Sequence, residues 1–231
     1  MRTVRFLDLS IRSSEERLLL HECLDKHLTS GRWIIPDSES EFEHSFKSIH
    51  SRSFGVGVNS GTQSLQLTLE LLDLTPKSKV LTSCFSWLAT ASSISLAGHI
   101  PIFLDTDQYL NIDLVLLDEY LKHHSDIAAL VIPHLHGNTV NLSKLEQISS
   151  HYHIPLIEDC AQSFLSADDD GRLSGTIGAF SCFSFNPMKV LSGLGDAGIV
   201  LFDCPSYQHN AYSMRHSGLS SHDKTANIFI K

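Results

Sequence analysis

The chain has 231 residues, 42% hydrophobic and 19% charged, an ordinary globular balance with enough length for one sizeable domain. A formal net charge of −9 at pH 7 argues against a general nucleic-acid binder, which needs a basic face to displace counterions from phosphates. No apolar run approaches the roughly 18–20 residues of a membrane span, and the opening MRTVRFLDLS lacks a secretory signal's apolar core, so a cytoplasmic protein without membrane association is expected.

In chain order, residues 14–29 (SEERLLLHECLDKHLT) have helical spacing and open on a Ser with Glu in the first turn. A strand-like VGV at 56–58 leads through Asn59-Ser60-Gly61 into a second helix at 62–73. Short apolar runs then suit parallel strands buried on both faces: KVLTS at 79–83, IPIFLD at 100–105, AALVIP at 128–133 and IPLIED at 154–159. Helical segments near 87–97 and 142–152 separate them. Two more strands, AFSCFSF at 179–185 and GIVLF at 198–202, are joined by a Gly-rich turn. The alternation predicts an α/β domain with a mostly parallel sheet flanked by helices.

Ligands of such sheets gather at the carboxyl ends of the strands. Three polar elements fall there: Gly61-Thr62 at a helix start, Glu158-Asp159 closing IPLIED, and Ser184 through Lys189 after AFSCFSF. The first suits a phosphate, which helix N-terminal N–H groups and the Thr hydroxyl would bind, or is simple helix capping by Ser60 or Thr62. Asp159 needs a partner if buried, either a cationic ring nitrogen or a cap or arginine nearby. Lys189 near the core would have a lowered pKa and attack aldehydes; as a surface lysine it would do neither. The five cysteines are scattered, without CxxC spacing, and read as free thiols. The fourteen histidines include no HExxH, and no metal site is expected.

Several blocks together resemble the DegT/DnrJ/EryC1/StrS aminotransferases, in that family's order and spacing: VNSGTQSLQLTLELL, SCFSWLATASSISLAGHIPIFLDTD, VIPHLHGNTVNLSKLEQISSHYHIPLIEDCAQS and GTIGAFSCFSFNPMKVLSGLGDAGIVLF. FLDLS, SGRWI and EFEHSF are similar to its opening, so the resemblance runs from about residue 6 to 218. It implies the large domain of a fold-type I enzyme that uses pyridoxal 5'-phosphate. That enzyme would move an amino group from glutamate to the keto sugar of a nucleotide sugar, in polysaccharide biosynthesis, as a homodimer. Lys189 matches the lysine that holds the cofactor covalently and moves protons at the substrate carbon. Asp159 matches the carboxylate that keeps the pyridine nitrogen protonated, and Gln162 the partner of the ring's phenolic oxygen. Trp87 takes the place of the stacking aromatic, or is a core aromatic. Gly61, Thr62, Gln63 and Ser184 match positions around the phosphate. The family's dehydratase branch carries His where this chain has Lys189.

The sequence also departs from the family. Phe164 stands where a His is usual, and the HxYG motif reads His134-Leu135-His136-Gly137. Asn227, in TANIFIK, does not match the family's Asn-x-Arg segment, which reaches the neighbouring subunit's phosphate. The resemblance further implies a smaller C-terminal domain after the large one, so residues 1–231 are expected to be a large domain truncated before it, with weak activity by itself. Two rivals stand beside the transferase reading: a non-catalytic binding or regulatory homologue, and a different class of pyridoxal-phosphate enzyme using the same Lys and Asp.

Overall fold

A computed structural model describes residues 7–33 and 37–218; Asn227 and the closing IFIK lie outside them. The chain divides into two compact units, Met1–Phe42 and Glu43–Lys231. In the first, α1 (Ser14–Ser30) is capped by Ser13, whose Oγ accepts the Glu16 N–H at 3.2 Å, and stops at Gly31, whose φ of +65° suits glycine. The expected helix 14–29 is therefore present, although none of its residues is buried.

The second unit receives the end of α2 (Asp37–Ile49) and carries the sheet. Its strands are β1 (Phe54–Val58), β2 (Lys79–Ser83), β3 (Ile100–Leu104), β4 (Ile127–Pro133), β5 (Leu156–Asp159), β6 (Phe180–Ser184) and β7 (Gly198–Phe202). They form one seven-stranded sheet in the order β1-β7-β6-β5-β4-β2-β3. Every pairing from β3 across to β6 is parallel, and β7 alone runs against its neighbours β6 and β1. The mostly parallel α/β sheet predicted from the sequence is the one found. Between the strands lie α3 (Gly61–Leu71), α4 (Leu88–Leu96), α5 (Leu114–His123) and α6 (Leu142–Tyr152), and α7 (Pro205–Arg215) follows β7.

Consecutive strand residues point to opposite faces, and here both faces are covered. Val80, Ala129, Val131, Ile157 and Val200 pack with α3 residues Leu65, Leu67 and Leu69. Their neighbours Leu81, Leu130, Ile132 and Leu156 pack on the other side with Leu117 and Leu121 of α5 and Leu145 and Ile148 of α6. A third cluster joins Phe46 of α2 to Phe183, Phe185, Ile199 and Leu201.

The topology places the carboxyl ends of β1, β4, β5 and β6 on one side of the sheet. Val58 and Ser184 both pair with Gly198, so the end of β1, the start of β7 and the end of β6 lie level. Crowding there is severe: a Cβ on Gly198 would stand 2.5 Å from the Ser60 carbonyl, which only glycine avoids.

Candidate active site

A cleft of about 670 Å³ opens at these strand ends. Of the residues singled out in the sequence, Gly61, Thr62, Trp87, Asp159, Gln162, Ser184 and Lys189 all line it. Gln63 is not among the lining residues; its backbone N–H bonds the Ser60 Oγ at 3.1 Å, as part of the α3 cap.

The start of α3 forms one wall. Ser60 caps the helix and Ser64 Oγ donates to the Gly61 carbonyl at 2.6 Å. Capping thus falls to Ser60, and Thr62 remains at the cleft. First-turn N–H groups have no carbonyl partner within their own helix, and the helix dipole adds partial positive charge. Ser184 meets this turn so closely that a Cβ on Gly61 would lie 2.7 Å from the Ser184 Cβ.

Asp159 is 8% exposed. Its Oδ2 accepts the Thr90 hydroxyl at 2.8 Å and its Oδ1 accepts the Ala161 N–H at 3.2 Å. Burial raises its pKa above the ordinary carboxylate value, while Thr90, Ala161, Lys189 and His134 favour the charged form. Lys189 is half-buried on the loop after β6, its backbone N–H bonded to the Asn186 carbonyl at 2.8 Å. Burial lowers the pKa of its amine, and the charge of Asp159 opposes that shift. It is therefore not a freely solvated surface lysine.

Trp87 is 65% exposed and lines the cleft, which removes the core-aromatic reading. Gln162 Oε1 accepts the His136 N–H at 3.0 Å, so the amide nitrogen is the group it offers a ligand. The His134–Gly137 segment forms a 3-10 turn (Leu135–Gly137) in which His136 has φ +58° and Gly137 φ +75°. Phe164 is drawn instead into the aromatic cluster, stacked on Phe46 with ring centroids 5.5 Å apart.

Beneath the cleft, Glu158 is fully buried and accepts N–H bonds from Gly175, Ile177 and Gly178 at 2.7–2.9 Å, with His134 Nε2 at 3.2 Å. Donor atoms of His134, Glu158 and Cys160 lie within 4.8 Å of one another. Yet the carboxylate is already saturated by N–H groups, and burial holds Cys160 as the neutral thiol, so Glu158 and His134 read as a hydrogen-bonded anchor with the thiol beside them. Sequence reasoning missed Ser86, Thr90, Asn186 and Asp196, which also line the cleft. Asn186 Nδ2 donates to Asp196 Oδ1 at 2.6 Å, bracing the loop that carries Lys189. Thr90 lies three residues after Trp87, but that nearness in sequence does not reveal its bond to Asp159.

No helix among the described residues is long and apolar enough to cross a membrane. Residues 15–229 match the DegT/DnrJ/EryC1/StrS aminotransferase family, and the chain belongs to it. It is 30% identical over 205 residues to the dTDP-3-amino-3,4,6-trideoxy-alpha-D-glucose transaminase of Micromonospora megalomicea subsp. nigra, covering 88% of this chain and 54% of that protein. It is 28% identical to the "Pleiotropic regulatory protein" of Geobacillus stearothermophilus, over 86% of this chain and 53% of that one. The chain thus spans about half the length of these curated relatives. The solved structure of S. venezuelae DesV in complex with a ketimine intermediate superposes with a TM-score of 0.88 at 27% identity, covering 97% of this chain and 60% of DesV.

Proposed function

We propose that this member of the family is the cofactor-binding part of a pyridoxal-phosphate-dependent aminotransferase that moves an amino group from glutamate to the keto sugar of a nucleotide sugar. The observation that carries the reading is one cleft holding a buried carboxylate, a half-buried lysine and a helix N-terminus in contact with a serine. The cofactor fits this donor set group by group. Its phosphate suits the start of α3 with Thr62 and Ser184, where the close approach of Gly61 to Ser184 forms the cradle. Its ring nitrogen suits Asp159, a buried anion in need of a cation. Gln162 and Trp87 line the same cleft, which supports an amide donor to the phenolic oxygen and an aromatic cover for a ring face.

When bound, pyridoxal phosphate supplies an electron sink for the pair left on a substrate carbon after proton removal. The protein's residues make that sink usable. Asp159 would hold a proton at the ring nitrogen, and Lys189, its amine pKa lowered by burial, would hold the cofactor's aldehyde and move a proton at the substrate carbon. The name of the Micromonospora relative supports a nucleotide-sugar acceptor. A homodimer belongs to the same reading: Trp87 and Val190 of the cleft wall stand exposed, as do Phe85, Leu88 and Leu194 near them in sequence, apolar side chains suited to a partner.

The non-catalytic alternative takes support from the regulatory name of the Geobacillus relative. One experiment separates them. Protein mixed with pyridoxal phosphate should turn yellow, Lys189→Ala should abolish the colour, and the product of the whole gene should convert glutamate in a single-turnover assay against keto-sugar nucleotides. A lysine-independent spectrum refutes the assignment of Lys189; cofactor uptake without amino transfer by the whole product supports the binding-module alternative.

A further inference from the structure

The wall of the cleft opposite Lys189 contains a polar chain that the proposed function does not yet use. Thr90 is 1% exposed in the first turn of α4, its backbone N–H bonded to the Trp87 carbonyl at 3.0 Å. Its hydroxyl donates to Asp159 Oδ2 at 2.8 Å. Ser86 Oγ lies 2.8 Å from the same Thr90 oxygen. A hydroxyl has one hydrogen, and that of Thr90 goes to the carboxylate, so the hydrogen between the two side chains comes from Ser86. The chain therefore runs Ser86 to Thr90 to Asp159, every hydrogen pointing toward the carboxylate.

The direction has a chemical consequence. A donor aimed at Oδ2 stabilises the anion over the neutral acid. Thr90 is β-branched and held at a helix start, so its χ1 has little freedom and its Oγ1 stays beside Oδ2. Ser86 and Thr90 also flank Trp87, and the same turn thus carries the ring-covering aromatic and the brace of the ring-nitrogen carboxylate.

We propose that Thr90, oriented by Ser86, is a positioning residue that keeps Asp159 ionised and fixed for a cationic ring nitrogen. The inference rests on the cofactor reading above, but its first test does not need the cofactor. The charged or titratable groups facing Asp159 are Lys189 from the loop after β6, His134 just after β4, Cys182 on β6 and the adjoining Cys160; none is altered by changes at Thr90.

The experiment follows the carboxyl carbon of Asp159 by NMR against pH in cofactor-free protein, assigned by its loss in Asp159→Asn, and measures pyridoxal phosphate affinity in parallel. Thr90→Val, nearly isosteric, should move the Asp159 titration to higher pH. It should also weaken pyridoxal phosphate binding about tenfold at pH 7, the low end for a lost hydrogen bond to a charged group. Thr90→Ser should restore both quantities, and Ser86→Ala should shift them in the same direction by less. An unmoved Asp159 titration in Thr90→Val overturns the proposal; should that variant not fold, an unmoved titration in Ser86→Ala does so. Wild-type protein that takes up no pyridoxal phosphate refutes the cofactor reading instead, and the titration arm still decides the role of Thr90.

Discussion

Gly61 offers the sharpest test of how the cleft is built. An alanine there would place its methyl carbon 2.7 Å from Ser184 Cβ and 3.3 Å from Ser184 Oγ. Carbon–carbon contacts prefer about 3.5–4.0 Å, so the start of α3 has to retreat from β6 by about 1 Å. Such overpacking costs about 1–3 kcal/mol, and the better helix propensity of alanine returns less than about 1 kcal/mol of it. With a urea slope near 2 kcal/mol/M, Gly61→Ala should lower the unfolding midpoint by about 0.5–1 M. Because the nearest atom is Cβ, Ser184→Gly in the same chain should relieve the clash, whereas Ser184→Ala, which keeps Cβ, should not. The coupling measured by that double-mutant cycle should be on the order of 1–2 kcal/mol. Pyridoxal phosphate affinity should fall with the same displacement, since the N–H groups at the start of α3 would no longer converge with Ser184 on one phosphate. Equal stability of Gly61→Ala and wild type, or equal rescue by Ser184→Ala and Ser184→Gly, would refute the close approach as the cause.

Other consequences follow from the buried groups. In the whole-gene product, Asp159→Asn should slow the half-reaction with glutamate by at least about 10²-fold, as expected for one preorganised electrostatic group; near-normal rates would assign the ring nitrogen another partner. The same substitution should raise stability near neutral pH. Burial keeps the folded-state pKa of Asp159 above its unfolded value, so its favourable contribution is full below the unfolded pKa and fades as pH rises through the folded one; in thermal melts the advantage of the variant should therefore vanish in acid. Among the thiols, alkylation of native protein followed by mass spectrometry should label exposed Cys204 first, where the Ser206 hydroxyl and backbone N–H hold the pKa below the usual thiol value. Cys182, pushed up to about 12 by burial, and Cys160 should stay unmodified.

Much of the sheet was legible because its strands are apolar on both faces: the runs at 79–83 and 198–202 coincide with β2 and β7, and the other strands end within a residue or two of their predicted limits. The antiparallel direction of β7 was not read, although residues 185–197 hold no crossover helix to return the chain for a parallel pairing. Three helices went unread for separate reasons. α2 carries Phe42, Phe46 and Ile49 and α7 carries Tyr207, Ala211 and Met214 at helical spacing, but these short stripes among polar residues went unread. The LVLL opening of α5 looks like a strand, and only the capping Asp113, which accepts the Val115 and Leu116 N–H groups, marks a helix start. In the site, residues at strand ends were readable from position. Thr90 was not, because its importance lies in a bond to a residue 69 positions away.

The dipeptide closing β5 carries one more implication. Glu158 turns into the protein to gather the N–H groups of the 175–178 loop, while Asp159, the very next residue, turns into the cleft. Two carboxylates of nearly the same chemistry thus hold opposite posts, separated only by the pleat of the strand. A slip of β5 by one residue against β4 and β6 would put Glu158 in the place of Asp159 and Ile157 in the place of Glu158, leaving the loop without its anchor and the cleft with a side chain one methylene too long. Correct pairing is therefore enforced by charge as well as by hydrophobic pattern, and a single-residue deletion within 156–159 should abolish folding and cofactor uptake in one stroke.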